Sequence, residues 1–205
     1  MALYQRKDHF HQRAKREGFR SRAAYKLQEI QRAHGLLRPG ARVVELGCWP
    51  GGWLQVAAAA VGPAGRVVGI DRVAVEPPLK NANVITLIGD LEDPALPARV
   101  REALGGPADV LLSDASPKLT GVRATDRARE EELLLAVERW IPRLLRPGGA
   151  LLVKLLEAPE AAEVARRMAG RFERTGSVRP SSTRKGSRER YLLARGLRAQ
   201  GSSPG

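Results

Sequence analysis

The 205-residue chain predicts a doubly wound α/β domain, a mostly parallel sheet with helices on both faces. Three observations carry that prediction. Apolar runs of four to seven residues alternate with stretches of helical periodicity, a glycine-rich turn follows the first run, and several runs release an acidic residue at their carboxyl end. In open sheets of this kind ligands sit beyond the carboxyl ends of the strands, so the turn and the acids are expected along one functional edge.

The elements follow in order. Lys7 to Arg20 is polar and basic, with Phe10 and Phe19 as isolated aromatics, and is expected to order only partly by itself. Ser21 is the predicted N-cap of a helix whose apolar face is Ala24, Leu27, Ile30 and Ala33, with Lys26 on its flank and Gly35 as its stop. Pro39-Gly40 turns the chain into a strand over Val43–Leu46, and Gly47-Cys48-Trp49-Pro50-Gly51-Gly52-Trp53 opens the next helix, which ends at Gly62-Pro63-Ala64-Gly65. Arg66–Ile70 is a second strand ending in Asp71, and Asn83–Ile88 a third ending in Gly89-Asp90. Ala108–Leu112 is a short buried strand leading to Ser113-Asp114-Ala115-Ser116-Pro117. Leu133, Val137, Trp140, Ile141 and Leu144 mark a long helix that Pro142 should kink or end. Arg146-Pro147-Gly148-Gly149 turns into the strand Ala150–Leu156, which Lys154 interrupts. Burying an ammonium without a partner costs several kcal/mol, so Lys154 needs a carboxylate or a function. A basic segment, Arg179 to Arg190, enters a last, antiparallel strand at Tyr191-Leu192-Leu193, and Ala199–Gly205 is expected to be disordered.

The spacing of the glycines narrows the ligand. Neither Gly-x-Gly-x-x-Gly nor a P-loop is present, and no Lys or Arg follows Gly51-Gly52 closely to meet a phosphate, so a nucleoside without phosphates fits better. Asp71 is placed to accept hydrogen bonds from two ribose hydroxyls, and Asp90 to take an adenine amino proton. S-adenosylmethionine meets these demands, and its cationic sulfonium and amino group favour acidic neighbours such as Glu45.

Composition bounds the rest. The hydrophobic content of 43% supports one domain with a substantial core. No long apolar span or signal-like leader is visible, so a soluble, cytoplasmic protein without membrane contact is expected. Cys48 is the single cysteine, which excludes an internal disulfide and a multi-thiolate site, and no metal is expected. The net charge of +13 is unevenly spread: residues 1–38 carry 10 Lys and Arg against 3 acids, residues 39–165 carry 14 against 17, and residues 166–205 carry 11 against 2. A slightly acidic body between two basic ends suits a polyanion, RNA or DNA, held around a cofactor pocket. Arg6, Arg13, Arg16, Arg20, Arg22, Arg184, Lys185, Arg188 and Arg190 are the candidate phosphate contacts. With 4% aromatics, recognition is expected to rest on RNA shape, phosphates and a splayed nucleotide.

Several of these motifs together resemble the FtsJ/RlmE family of S-adenosylmethionine-dependent ribosomal RNA ribose 2′-O-methyltransferases, over about residues 8–197. Lys15 to Leu27 is similar to the family's N-terminal signature, Pro50-Gly51-Gly52-Trp53-Leu54-Gln55 to its cofactor loop, and Ser113-Asp114-Ala115-Ser116-Pro117 to its fourth-strand motif. Val153-Lys154 and Ser187-Arg188-Glu189-Arg190-Tyr191 complete the pattern. The resemblance implies a Rossmann-like methyltransferase fold with seven strands over residues 39–198, a basic arm and helix over 1–38 packed on it, and a tail at 199–205. It implies a catalytic set of Lys26, Asp114, Lys154 and Glu189, and cofactor contacts at Gly51, Trp53, Asp71, Asp90 and Asp114. It further implies methylation of a uridine 2′-hydroxyl in 23S ribosomal RNA of the large subunit, by an enzyme acting as a monomer. The chain departs from the pattern at Trp49, where a small residue is expected, and at Lys118, where an asparagine is usual. In the implied reaction Lys154 orients or deprotonates the hydroxyl; burial and a second cation at Lys26 disfavour its charge while Asp114 favours it, which leaves its role open between base and positioner. Glu189 orients a lysine or a ribose hydroxyl. Methylation of transfer RNA or another RNA, and a non-catalytic RNA-binding ribosome assembly factor of the same fold, are the competing readings.

Overall fold

The computed structural model describes residues 9–117, 120–156, 158–184 and 186–199. Arg6, Lys118, Lys185 and the 200–205 part of the expected tail lie outside them. The elements in chain order are α1 (His9–Arg16), α2 (Ala24–His34), β1 (Arg42–Leu46), α3 (Gly52–Val61), β2 (Arg66–Asp71), β3 (Val84–Ile88), α4 (Leu96–Leu104), β4 (Ala108–Ser113), α5 (Arg123–Leu144), β5 (Leu145–Leu156), α6 (Pro159–Ala169), β6 (Phe172–Val178) and β7 (Glu189–Leu197). They form one seven-stranded sheet in the order β3-β2-β1-β4-β5-β7-β6. The first five strands in that order run parallel, and β7 runs antiparallel to both β5 and β6. This is a mostly parallel, Rossmann-like methyltransferase fold.

Alternation along the strands assigns the two faces. Val43, Val67, Val110, Leu112, Leu152, Tyr191 and Leu193 pack with α2 and α3, through Ala24, Leu27, Ile30, Trp53, Leu54 and Val61. Their neighbours Val44, Val68, Leu111, Leu151, Val153 and Leu192 point to the other face, against Leu96, Val100, Val137, Trp140, Ile141, Val164 and Met168 of α4, α5 and α6. Because the side-chain period of a strand is two, both faces must be apolar, and the continuous hydrophobic runs of β1, β4 and β5 satisfy that.

Several local expectations are corrected. Ser21 does not cap α2; the residue before the helix is Ala23, without a side-chain cap, and Ser21 instead packs so tightly on Gly52 that a Cβ there would collide with its hydroxyl. Ala33 is exposed, because α2 rests on the sheet only through its first two turns. Leu134, not Leu133, lies in the α5 core face, and Leu133 turns toward the cleft described below. Pro142 sits inside α5, within its last turn, so little helix is left for it to disrupt. The segment before Ser21 forms α1, held by Phe10 and Phe19 against Tyr25 with ring centroids 5.7 and 5.6 Å apart. Among the described residues no helix is long and apolar enough to cross a membrane.

Candidate active site

The carboxyl ends of β1, β2, β3 and β4 open into a cleft of about 840 Å³. Gly47, Asp71, Asp90 and Asp114 line it, with Trp49, Val73, Leu91 and Leu133 as apolar walls. The turn after β1 tolerates only glycine at two points. Gly47 has φ +75° and a Cβ there would stand 2.5 Å from that of Ala115, so the turns after β1 and β4 touch backbone to side chain. Gly51, at φ +105°, occupies the left-handed region just before α3, and a Cβ there would press on Arg20, Val75 and Leu79.

The acids at the strand ends are oriented by the backbone. Asp71 accepts the Trp49 N–H at 2.9 Å on one carboxylate oxygen and the Val73 N–H at 3.0 Å on the other. Asp90 accepts the Glu92 N–H at 3.1 Å and pairs with Arg72 at 2.8 Å; that backbone hydrogen bond first, and Arg72 second, hold its carboxyl below the usual range. Glu45, expected near the ligand, is buried beneath the cleft floor with Oε2 unpartnered. Burial, then the charges of Asp114 and Asp71, push its carboxyl well above the ordinary range. Cys48 packs under the turn beside Gly69, and burial pushes its thiol up, so it is a packing residue.

Beside the cleft, the four charged residues of the sequence pattern meet. Lys154 Nζ donates to the Asp114 carbonyl at 2.6 Å and lies 3.2 Å from Asp114 Oδ1. Lys26 Nζ pairs with Glu189 Oε1 at 2.6 Å. The tertiary structure explains the convergence. Lys154 has the same parity as Leu152, Glu189 the same as Tyr191, and both therefore face α2, which supplies Lys26. The antiparallel register sets Lys154 opposite Tyr191 and Leu156 opposite Glu189.

Tyr191 is the member that sequence reading missed. Its hydroxyl lies 2.8 Å from Asp114 Oδ1 and 2.9 Å from Glu189 Oε1, tying the two ion pairs into one network. Burial, then the charges of Asp114 and Glu189, raise its phenol far above the ordinary range, which keeps it a donor. Its signal was its place two residues after Glu189 on the same face of a strand. Trp53 lies beneath this network, 1% exposed, with its indole N–H on the Ala23 carbonyl at 2.8 Å and its ring 5.7 Å from that of Tyr191. It supports the site from below, outside the cleft lining.

Two candidate phosphate contacts are used by the fold. Arg20 donates to the carbonyls of Pro50, Pro77 and Pro78, and its own N–H goes to Gln55 Oε1 at 2.8 Å. Arg22 reaches the Ser182 carbonyl at 2.6 Å and stacks over Phe10. Arg13 pairs with Glu17 at 2.7 Å. Arg16, Arg184, Arg188 and Arg190 are exposed. Glu29 accepts the N–H groups of Ser181 at 2.6 Å and Ser182 at 3.0 Å, so α2 and the loop before β7 are joined. The helix that supplies Lys26 and the basic loop before β7 are thus held together beside the lysine network.

Comparison with known proteins agrees. The model of the family described as FtsJ-like methyltransferase matches residues 19–197. A protein of Acidithiobacillus ferrooxidans named ribosomal RNA large subunit methyltransferase E is 43% identical over 188 residues, covering 92% of this chain and 84% of that protein. Proteins of the same name from Cenarchaeum symbiosum and Pseudomonas aeruginosa are 40% and 39% identical, over 94% and 91% of this chain and 96% and 89% of their own. Among solved structures, a ribosomal RNA methyltransferase of Plasmodium falciparum superposes with a TM-score of 0.76 at 25% identity, over 89% of this chain and all of that one. Fibrillarin of Aeropyrum pernix, solved with S-adenosylmethionine bound, superposes at 0.60 with 20% identity, over 83% of this chain and 75% of its own, and shares the fold.

Proposed function

The chain belongs to the FtsJ-like methyltransferase family, and from that premise we propose that it transfers a methyl group from S-adenosylmethionine to a ribose 2′-hydroxyl of large-subunit ribosomal RNA, a uridine in 23S RNA. The observation that carries the reading is the joined pair of ion pairs, Lys154 with Asp114 and Lys26 with Glu189, bridged by Tyr191 at the mouth of an acid-lined cleft.

The cleft fits the cofactor on its own terms. Asp71, Asp90 and Asp114 line the cleft, and beneath them the buried Glu45 leaves Oε2 without a partner, so the negative charge of the lining suits a ligand carrying a sulfonium and an ammonium. Asp71 would hold the ribose hydroxyls, Asp90 the adenine amino group, and Gly51, with Trp53 behind it, would shape the turn around the methionine portion. S-adenosylmethionine, when bound, supplies a methyl group already activated on sulfur.

The protein's task is then to hold a hydroxyl in line and to receive its proton. Lys154 donates one N–H to the Asp114 carbonyl and pairs with the Asp114 carboxylate, which fixes its head and leaves donor capacity for the 2′-oxygen. In this role Lys154 positions the hydroxyl rather than deprotonating it in advance. The oxygen becomes strongly acidic as the new C–O bond forms, and its proton leaves to a carboxylate or water. Tyr191 keeps Asp114 and Glu189 aligned, and Glu189 holds Lys26 beside the ribose. Arg184, Arg188 and Arg190 meet phosphates; Arg22 is held near Arg184 at a cost, since burial first and the Arg184 charge second lower its hold on its proton, and a phosphate between them relieves that repulsion.

Incubating large ribosomal subunits that lack the modification with methyl-labelled cofactor, then digesting the RNA with alkali, tests the reading. Label in an alkali-resistant dinucleotide is expected; label in mononucleotides would mean base methylation and overturn it. Lys154→Ala should lower turnover by on the order of 10²–10⁴-fold with cofactor affinity kept, whereas Asp71→Ala should weaken cofactor binding first. Full turnover by the Lys154 variant would remove that residue from the reaction.

A further inference from the structure

The opposite edge of the sheet carries a second concave surface. At the amino ends of β4 and β5 and the carboxyl end of β7 lies a cleft of about 580 Å³ with a floor of Ile141, Leu145 and Leu197. Arg101, Arg146, Arg171 and Arg198 line it, and among the described residues no acidic one does. Two of these cations are fixed by backbone carbonyls, which orient a guanidinium without neutralising it: Arg101 on Arg143 at 3.1 Å and Arg198 on Gly170. Arg146 and Arg171 are offset by Asp109 at 2.6 Å and Glu138 at 3.6 Å.

A pair of cations stands on the β6–β7 edge close to this cleft. β6 is the last strand of the sheet, exposed from Glu173 to Ser177, and its Arg174 stands directly opposite Arg195 of β7. Like charges facing each other across a ladder are unfavourable unless an anion joins them. Arg38 adds a third positive charge close to Arg195, whose proton affinity is lowered by burial first and then by Arg174 and Arg38. Strands of six residues separate the two edges by roughly 20 Å, so a short oligonucleotide at the lysine network does not reach the second cleft.

We propose that the RNA methylated at the lysine network also runs along the β6–β7 edge, past Arg174 and Arg195, and lodges its sugar-phosphate backbone in the arginine cleft at the amino edge. The surface rests on the RNA methyltransferase reading and deepens it: the preferred substrate is a long, folded RNA that engages both edges, and the far contact supplies affinity without chemistry. An acidic protein segment has the charge to fill the cleft, but the exposed β6 edge with Arg174 lies between it and the lysine network, a path that a long RNA backbone can follow, which favours RNA.

The test measures binding of large-subunit ribosomal RNA, and of a short stem-loop carrying the target nucleotide, across a range of salt concentrations. For Arg101→Gln/Arg174→Gln/Arg198→Gln the long RNA should bind about 10- to 100-fold more weakly, with a log-log salt slope shallower by about 2 to 3 units, one lost phosphate contact per arginine. Stem-loop affinity and turnover should match wild type. The corresponding triple lysine variant, which keeps charge and loses the guanidinium fork, should recover most of the slope and so separate charge from fold. Wild-type slope and affinity in the glutamine variant would overturn the surface, as would an equal loss on both RNAs or a lysine variant as weak as the glutamine one. An acidic partner would show itself as the first of these outcomes. Wild-type protein that binds neither RNA would overturn the proposed function itself, a result distinct from the other three.

Discussion

The guanidinium of Arg20 is spent on the carbonyls of Pro50, Pro77 and Pro78, so a cation that composition assigns to RNA instead clamps the turn beside the acid-lined cleft. Hydrogen bonds from a charged donor contribute about 1.5–3 kcal/mol each. Arg20→Ala should therefore weaken cofactor binding by about tenfold or more, measured by calorimetry, while the salt slope of RNA binding stays put; a slope reduced by about one with unchanged cofactor affinity would restore Arg20 to the phosphates. Glu45 makes a different point. Its carboxyl, raised well above its ordinary range by burial and by Asp114 and Asp71, keeps its proton to higher pH in the folded protein than in the unfolded chain, where it ionises above about pH 4.3. The unfolded state then binds fewer protons, and stability falls as pH rises. Glu45→Gln removes that loss, so without cofactor its Tm advantage over wild type should widen as pH rises above about 4.3, by about 2–4 °C for each kcal/mol. A gap that narrows with rising pH would contradict the assignment.

At the scale of elements, α2 matters for what it joins. It packs on α3 through Leu27 and Ile30, supplies Lys26 to Glu189, and through Glu29 grips the loop that enters β7. Burial alone would raise the Glu29 carboxyl, but hydrogen bonds from Ser181 and Ser182 outweigh it and leave it below its usual range. A lowered carboxyl stabilises above its unfolded value, near pH 4.3, and loses that contribution as pH falls through the folded one. Amide exchange at Ser181 and Ser182, measured against distant core amides, should accelerate in that acid window, and Glu29→Gln should show the faster exchange already at pH 7. Element boundaries were legible where hydrophobic runs were dense, as in β1, β2 and β4, whereas β5 begins at Leu145 and takes in the Arg146–Gly149 stretch expected to be a turn. The reading found neither α4 nor α6 nor β6. Leu96–Leu104 and Pro159–Ala169 bury only one narrow face each, and Phe172–Val178 is an edge strand buried at Phe172 alone, so none shows the continuous apolar signal of a central element.

Across the whole molecule, charge is sorted by edge and side. Asp71, Asp90 and Asp114 gather at the carboxyl ends of the strands, and arginines occupy the loops of the joined basic ends, the β6–β7 edge and the amino edge. RNA affinity should accordingly fall by roughly 10³-fold or more between 50 and 200 mM salt, the response to about six or more phosphate contacts; a titration showing less than a tenfold loss would confine binding to the catalytic edge. The sequence by itself determined the alternating strands and helices, the glycine turn, the acids at strand ends and the basic ends, because periodicity, backbone freedom and composition are local properties. It also supplied Lys26, Asp114, Lys154 and Glu189, through motifs short enough to be read as text. Only the tertiary structure decided that Lys154 faces Asp114 while Lys26 faces Glu189, that Tyr191 bridges them, that Trp53 packs against Tyr191 and that Arg20 donates to the carbonyls of Pro50, Pro77 and Pro78. Those facts depend on strand register, on which face of the sheet a side chain meets, and on loops brought together from as far apart as Arg22 and Ser182, and none of these is encoded within a local window of sequence.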